Sequence, residues 1–299
     1  MRIAILCRDE TLHGVRRIAE AARRRRHTVR VLDPYRFLLK VRSGRLDLEY
    51  AGRPFGRTDA VLPRLGAGIS EHSLALVRHL DASGRLVINA PGAIEIARDK
   101  LRTLQLLARN GLPVPRSAFA PDPRYLPAAL RAVGGAPVVV KLPRSTQGKG
   151  VMRAGTREEA QALADAMWSL ERDVILQEYA EEAGGRDLRL FVVGGEAIAA
   201  VRRRAPRGAF RSNLHLGGSV RRARITKEAK DLALRACRLC GLEVAGVDFL
   251  ETKKGLLLLE LNAAPGFEGI ERATGGDIAS RIVDHLEARH RGEPPLPAP

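Results

Sequence analysis

Three oxygen-bearing side chains on two neighbouring apolar runs are the groups of this chain best spaced to do chemistry. Asp248 lies in Val244-Ala245-Gly246-Val247-Asp248-Phe249-Leu250, and Glu260 and Asn262 lie in Leu256-Leu257-Leu258-Leu259-Glu260-Leu261-Asn262. Apolar runs on either side of Lys253-Lys254-Gly255 predict a β-hairpin. A three-residue loop with Gly255 in the left-handed position is a common connection of this kind. That register sets Asp248 opposite Glu260, with Cβ atoms roughly 4.5–5.5 Å apart. Asn262, two residues on, shares the face of Glu260. Two carboxylates so close repel each other and raise a pKa unless a cation sits between them. Oxygen donors suit Mg²⁺ or Mn²⁺, and Mg²⁺ usually arrives with substrate phosphates. The competing reading is two surface acids on an exposed strand face.

Other residues fit the handling of phosphate. Pro137-Val138-Val139-Val140-Lys141-Leu142 reads as a buried strand ending in a lysine, a suitable point charge for nucleotide phosphates. Lys100, early in a helix, suits the same task or is a plain surface lysine. The loop Arg144-Ser145-Thr146-Gln147-Gly148-Lys149-Gly150 follows the strand and can offer backbone N–H groups to phosphate oxygens. It is not a Walker A loop, and a flexible turn reads equally well. Gln177-Glu178-Tyr179 ends a strand, where backbone could meet adenine and a carboxylate could meet ribose. Arg202-Arg203-Arg204-Ala205-Pro206-Arg207-Gly208-Ala209-Phe210-Arg211-Ser212-Asn213 is either a solvated basic loop or an anion-binding lip. Within it, Arg211 and Asn213, beside Ser212, could hold phosphate and a developing oxyanion. Cys237 and Cys240 have redox-motif spacing but lie at the end of a helix, where the dipole does not activate a thiol; they read as buried and inert.

Composition sets the frame. The chain has 299 residues, enough for two or three domains, and 45% hydrophobic residues, enough for sizeable cores. No apolar run approaches a membrane span, and the N-terminus shows no signal-peptide pattern. Three cysteines give no disulfide framework, so a reducing cytoplasm is expected. The formal charge of +17 fits either a compositional preference for arginine or a real anion-binding face. It also admits a basic RNA-binding protein, although one aromatic within the basic stretch makes no base-stacking platform.

The elements that must position these groups follow from periodicity. Alternating strand and helix over the first ~95 residues give a Rossmann-like unit. Its strands are expected at Arg2–Leu6, Thr28–Leu32, Ala60–Pro63 and Leu86–Asn89, with helices near Gly14–Arg26 and Glu71–Asp81. Gly66-Ala67-Gly68 is a weak match to a dinucleotide fingerprint. One amphipathic helix is expected from about Ala93 to Arg109, stopped by Asn110-Gly111 and Pro113. Thr156 and Glu159 form a capping box for a helix to about Glu171. A strand at Val174–Glu178, a hairpin of Leu188–Val193 with Glu196–Arg202, and helices at about Lys227–Cys240 and Ile278–His290 complete the reading. The expected domains are 1–95 and 96–291, with lobes of about 112–176 and 177–291, followed by a disordered tail at 292–299.

The order of these features resembles the ATP-grasp superfamily, and the motifs are similar to the RimK proteins, ribosomal-protein-modifying α-L-glutamate ligases. The residues that carry the resemblance are Cys7-Arg8-Asp9-Glu10-Thr11-Leu12, Ala97-Arg98-Asp99-Lys100-Leu101-Arg102, Gly134-Gly135-Ala136-Pro137, Thr146-Gln147-Gly148, Phe210-Arg211-Ser212-Asn213-Leu214-His215 and Asn262-Ala263-Ala264-Pro265-Gly266. It runs from Met1 to about Arg291. It implies an α/β (α+β) fold: a Rossmann-like pre-ATP-grasp domain followed by a two-lobed ATP-grasp domain. It implies ATP-dependent addition of L-glutamate, through an acyl phosphate, to the C-terminal carboxylate of a small-subunit ribosomal protein, and in some members poly-α-glutamate synthesis. By position, Lys100, Lys141, Ser145, Thr146, Gln147, Gly148, Gly150, Gln177, Glu178, Tyr179, Asp187, Arg211, Ser212 and Asn213 would bind ATP. Asp248, Glu260 and Asn262 would bind Mg²⁺ or Mn²⁺, with two ions expected. Arg211 and Asn213 would act in catalysis, and Arg203 and Arg204 would meet the acidic acceptor. A homo-oligomer, by resemblance a tetramer, with no membrane association and no dedicated nucleic-acid site, completes the expectation. Lys149, Leu216, Arg202 and Arg207 depart from the family pattern at positions that bear on acceptor choice and chain length. Another ATP-grasp ligase, joining an amino acid to a different carrier protein or a small metabolite, would share the same ATP and metal motifs.

Overall fold

A computed structural model describes residues 1–66, 69–144, 150–206 and 218–295. The N-terminal unit forms as its periodicity predicts. The unbroken apolar run of β1 (Arg2–Leu6) is buried on both faces, as a central parallel strand requires. It pairs in parallel with β2 (Thr28–Leu32) through α1 (His13–Arg24), whose Val15, Ile18, Ala19 and Ala22 form one buried stripe. Three strands unforeseen in the sequence follow, β3 (Phe37–Arg42), β4 (Arg45–Tyr50) and β5 (Arg53–Pro54), a separate antiparallel meander. Its aromatic residues Phe37, Tyr50 and Phe55 pack on one another. The chain then returns to the first sheet with β6 (Ala60–Pro63), α2 (Glu71–Ala82) and β7 (Leu86–Val87), giving the order β2-β1-β6-β7. The direction of winding reverses between β1 and β6.

The helix expected over 93–109 is two helices, α3 (Pro91–Arg98) and α4 (Lys100–Arg109). Asp99 breaks them apart because its carboxylate caps α4, accepting from the Arg102 N–H at 3.1 Å. Lys100 therefore starts a new helix instead of lying inside a longer one. A second sheet, ordered β10-β9-β11-β8, is antiparallel: β8 (Ser117–Ala120), β9 (Val138–Lys141), β10 (Val151–Ala154) and β11 (Val174–Glu178). Helices α5 (Leu126–Val133) and α6 (Arg157–Trp168) share one core with it. The Thr156 hydroxyl caps α6 as the motif predicts, accepting from the Glu159 N–H at 3.2 Å.

A third sheet is ordered β14-β13-β12-β15-β16. Its strands are β12 (Arg186–Val193), β13 (Glu196–Arg204), β14 (Ser219–Arg222), β15 (Val244–Thr252) and β16 (Gly255–Asn262). Helix α7 (Lys227–Cys240) covers one face, burying Cys237 and Cys240 among alanines and leucines. Burial pushes both thiols up, Cys240 to about 12, in keeping with inert cysteines. On the other side, α8 (Glu268–Thr274) and α9 (Ile278–His290) join α1 and β1 in one shared core. Among the described residues no helix is long and apolar enough to cross a membrane. Of the expected tail, residues 296–299 lie outside the described residues.

Asn89, directly after the first sheet and 2% exposed, ties the N-terminal unit to the third sheet. Its Oδ1 accepts from the Glu243 and Val244 N–H groups at 2.8 and 2.9 Å, and its Nδ2 donates to the Val244 and Ala263 carbonyls at 2.8 Å each. Replacing this amide leaves several buried backbone groups unpaired, at about 1–3 kcal/mol for each group stranded. Asn89→Ala is expected to lower the melting temperature by several degrees or more in differential scanning calorimetry. An unchanged melt would show that the tie contributes little.

Candidate active site

The hairpin β15–β16 delivers its acids by a route the sequence reading did not include. Thr252 pairs with Gly255, so the turn is the two residues Lys253 and Lys254, one fewer than expected. A β-bulge then adds Leu259 to β16, since Phe249 pairs with Leu258 while Asp248 pairs with Glu260. The bulge offsets the shorter turn and restores the Asp248–Glu260 register. Gly246 faces Asn262, and a Cβ at Gly246 would meet Pro265 at 2.9 Å, so a glycine is required there.

Asp248 is 3% exposed and sits among arginines. Arg189, opposite it on β12, donates through Nε and Nη2 to the two carboxylate oxygens at 2.5 Å each. Arg203 of β13 donates Nη2 to Asp248 Oδ2 at 2.9 Å and Nε to Asp187 Oδ1 at 2.6 Å. These guanidiniums hold the Asp248 carboxyl below the usual range, against the opposing effect of burial. The Asn262 amide turns its nitrogen to Glu260 at 2.9 Å and its oxygen to Arg189 Nη2 at 3.1 Å. Glu260 is approached by two lysines from outside the sheet, Lys141 at the end of β9 and Lys100 at the start of α4. Lys141 is 9% exposed and donates Nζ to Gln177 Oε1. Burial pulls its pKa down to about 8, with Lys100 adding to the fall and Glu260 opposing it. Burial lowers Lys100 as well, opposed by Glu260 and Asp99. Four cations thus face three carboxylates in one place.

The structure therefore gathers Asp248, Glu260, Asn262, Lys100, Lys141, Gln177 and Asp187. Glu178 accepts from the Arg116 backbone N–H at 2.9 Å and from Arg116 Nε at 2.6 Å. The Arg153 guanidinium lies 4.8 Å from the Tyr179 ring centroid. Gly150 has φ +66° and accepts from the Leu142 N–H at 3.0 Å, and a Cβ there would strike Leu142 at 2.7 Å. Ser145, Thr146, Gln147 and Gly148, and Arg211, Ser212 and Asn213, lie outside the described residues. The basic stretch needs a correction at its start: Arg202, Arg203 and Arg204 extend strand β13, and only Arg202 and Arg204 face solvent. Arg203 is held between two buried carboxylates, so it is part of the interior charge network and not an exposed lip. Arg189 and Arg116 went unnoticed in the sequence. The signal for Arg189 was present: Asp187 and Arg189 alternate with Leu188 and Leu190, placing two charges on one face of an otherwise apolar strand.

Among the described residues no group of three or more His, Cys, Asp or Glu side chains is placed to hold a metal. The hairpin set is two carboxylates and an amide. All its donors are oxygens, which suits a hard divalent cation; Asp248 Oδ1 keeps a lone pair beyond its one arginine bond, while Oδ2 accepts from both Arg189 and Arg203.

Family comparison decides the class of this centre. Residues 97–286 match the model of a RimK-like ATP-grasp domain, and residues 1–94 match the RimK pre-ATP-grasp domain. The chain belongs to the RimK family. It is thus an ATP-dependent ligase of the ATP-grasp class. It is 46% identical over 290 residues to a ribosomal protein bS6–L-glutamate ligase of Escherichia fergusonii, covering 97% of this chain and 96% of that one. It is 45% identical over 291 residues to a probable alpha-L-glutamate ligase of Thioalkalivibrio sulfidiphilus, covering 97% of each. Among solved structures, the ATP-grasp ligase PsnB complexed with a minimal precursor superposes with a TM-score of 0.74 at 26% identity, over 97% of this chain and 99% of that one. A RimK domain ATP-grasp protein of Sphaerobacter thermophilus shares the fold with a TM-score of 0.75 at 22% identity, over 95% and 99%.

Lys141 yields a test of this electrostatic arrangement. Its pKa is about 8 in the fold against 10.5 in the open chain. At pH 7 it is charged in both states and bears the cost of burial. Between pH 8 and 10.5 it is neutral in the fold while the unfolded chain still holds the proton, so the cost is relieved as pH rises. Lys141→Met is expected to stabilise the ligand-free protein at pH 7 by about 1–3 kcal/mol. That advantage should shrink towards pH 10 in paired thermal melts, and ATP should no longer raise the variant's melting temperature. A constant difference across pH would contradict the lowered pKa.

Proposed function

We propose that the chain is an ATP-dependent α-L-glutamate ligase that extends the C-terminal carboxylate of a small-subunit ribosomal protein. The observation that supports it most is the convergence of Asp248, Glu260 and Asn262 with Lys100 and Lys141 in a RimK-family fold. A carboxylate is a poor electrophile, so ATP must first convert it to an acyl phosphate. An acceptor carboxylate oxygen takes the γ-phosphoryl group and ADP leaves. The glutamate amine then attacks the acyl carbon, the C–O bond to phosphate breaks, an amide forms and the amine gives up a proton. Lys141 and Lys100 bind phosphate oxygens as point charges, and Gln177 fixes the Lys141 ammonium. Asp248, Glu260 and Asn262 would hold Mg²⁺ or Mn²⁺, two ions in this reading, which would neutralise charge on the phosphates. Gln177, Glu178 and Tyr179 would line the nucleoside end. Arg189 and Arg203 keep Asp248 ionised and fixed, and Asp187 acts in this reading through Arg203. By resemblance, Arg211, Ser212 and Asn213 would bind ATP, Arg211 and Asn213 would stabilise the developing oxyanion, and the Ser145–Gly150 loop would serve to exclude water from the phosphates.

One face of the third sheet supports an acidic acceptor. Arg202 and Arg204 are exposed on β13, Arg221 faces Arg202 from β14 and Arg186 faces Arg204 from β12. Glu251 pairs with Arg202 through bonds of 2.8–3.1 Å. Like charges directly opposite one another are unfavourable on a sheet unless an anion joins them. A glutamate-rich tail or growing polyglutamate is such an anion. The same reading takes the domains as 1–95 and 96–291, the assembly as a tetramer and the compartment as the cytoplasm, where three buried free cysteines are at home.

The deciding experiment incubates the protein with ATP, Mg²⁺ and L-glutamate, with and without the ribosomal protein, and reads mass increments. Successive glutamate increments on the ribosomal protein are expected, and increments of another amino acid would overturn the specificity. Glu260→Ala is expected to lower ligation by about 10²–10³-fold while the circular dichroism spectrum stays that of the folded protein. Arg204→Glu with Arg221→Glu should raise KM for polyglutamate acceptors several-fold with little change in KM for ATP; equal changes in both would remove the acceptor face from the reading.

A further inference from the structure

Arg64 is a buried cation without a counter-charge among the described residues. It follows β6, and its backbone N–H donates to the Leu6 carbonyl at 2.9 Å. It therefore sits at the carboxyl ends of β1 and β6, where the strand order reverses. In open α/β sheets that crevice is where ligands bind. The side chain is 9% exposed, and Nη2 donates to the Pro265 carbonyl at 2.7 Å. The guanidinium also lies 5.9 Å from the Phe267 ring centroid.

No neighbouring acid is available to it. Glu271 is committed to His13 at 2.9 Å, to Arg17 at 3.2 Å and to the N–H groups of Ile278 and Ala279. Burial pushes the Cys7 thiol up, so it is neutral at pH 7. Burial lowers Arg64 itself only to about 10, so it stays charged. Arg203, similarly buried, has two carboxylates around it. Arginine carries five N–H donors, and one buried bond to a carbonyl leaves most of them and the whole charge unanswered. The buried side-chain nitrogens without a partner among the described residues are Arg25 Nη1, His79 Nε2 and Arg238 Nε. Arg64's remaining N–H groups are not among them, and the residue keeps 9% of its surface exposed. Gly14 keeps the space beside it clear: a Cβ there would come within 3.4 Å of Arg64 Nη2 and 3.2 Å of Phe267.

The position selects the ligand. Pro265 lies three residues beyond Asn262, and Lys141 and Lys100 reach Glu260 from β9 and α4. Arg64 comes to the Asn262–Pro265 turn from the N-terminal unit, apart from the lysines that suit phosphate. In the ligase reading the phosphates take the lysine side, which leaves the Arg64 side to the amine donor. We propose that Arg64 binds a carboxylate of the incoming amino acid, making it a specificity residue for the amine donor. This rests on the ligase reading above and deepens it.

The test measures binding without turnover, by calorimetry on the full chain with Mg²⁺ and ADP present. Titrants are L-glutamate, L-glutamine, which lacks the side-chain carboxylate, and L-glutamate α-amide, which lacks the other. Arg64→Gln should weaken L-glutamate binding about 10²-fold and leave ADP affinity within about twofold, with Arg64→Lys intermediate. The analogue already lacking the partner carboxylate should lose nothing further in Arg64→Gln, and so names the carboxylate. Equal loss of glutamate and ADP affinity, or glutamate binding equal to wild type, would overturn the proposal. Should Arg64→Gln not fold, wild-type protein binding both analogues as tightly as glutamate would overturn it as well. If wild-type protein ligates a different amino acid, the glutamate reading fails, and the same titrations run with that amino acid and its α-amide still decide the role of Arg64.

Discussion

A buried carboxylate, Asp248, sets the terms for the whole catalytic face. Placed in an apolar sheet alone, it would take up a proton and lose its capacity to bind a cation. Arg189 and Arg203 prevent this from β12 and β13, and Arg203 is itself balanced by Asp187. The order β13-β12-β15-β16 is what brings these charges edge to edge. A change of strand order or register would strand at least one of them. Electrostatics here constrains topology as much as it serves chemistry.

The excess of positive charge beside Glu260 has the opposite character. Lys141 and Lys100 are desolvated near each other, with Glu260 as their common acid. Such an arrangement is poor for stability and good for receiving a polyphosphate, a common division between fold and function. Arg64 follows the same logic on the other side of the Asn262–Pro265 turn. Asn89 and Arg64 both reach that turn from the N-terminal unit, so the first 90 residues help to shape a site whose motifs lie far along the chain.

Much of this was legible from residues alone. Unbroken apolar runs located the parallel strands and 3.6-residue periodicity the principal helices, while the Asp248–Glu260 pairing was reached through a three-residue turn that the structure replaces with a two-residue turn and a bulge. The split at Asp99 was missed because the apolar stripe continues across it; only the cap geometry distinguishes two helices from one. The meander of β3 to β5 was missed because its strands carry charged residues on the open face, including Lys40, Arg42, Arg45, Asp47 and Glu49. Arg203 was misplaced because a run of three arginines looks solvated, while strand alternation turns the middle one inward. What a single sequence cannot supply is the partner across the sheet, and for Arg189 and Arg203 the partner is the function.

The bulge at Leu259 carries an evolutionary consequence. It separates the length of the turn from the register of the ligands, since the extra residue sits between the two. Insertions at Lys253 and Lys254 can lengthen the hairpin tip while Asp248 and Glu260 stay aligned. Loss of the single residue Leu259 would remove the bulge and leave Leu258 opposite Phe249 and Glu260 opposite Asp248 on a straighter, less twisted strand. Among relatives, length variation should therefore gather at the tip and at Leu259, while the spacing from Glu260 to Asn262 stays fixed. A gap between Glu260 and Asn262 would mark a chain that has given up this chemistry.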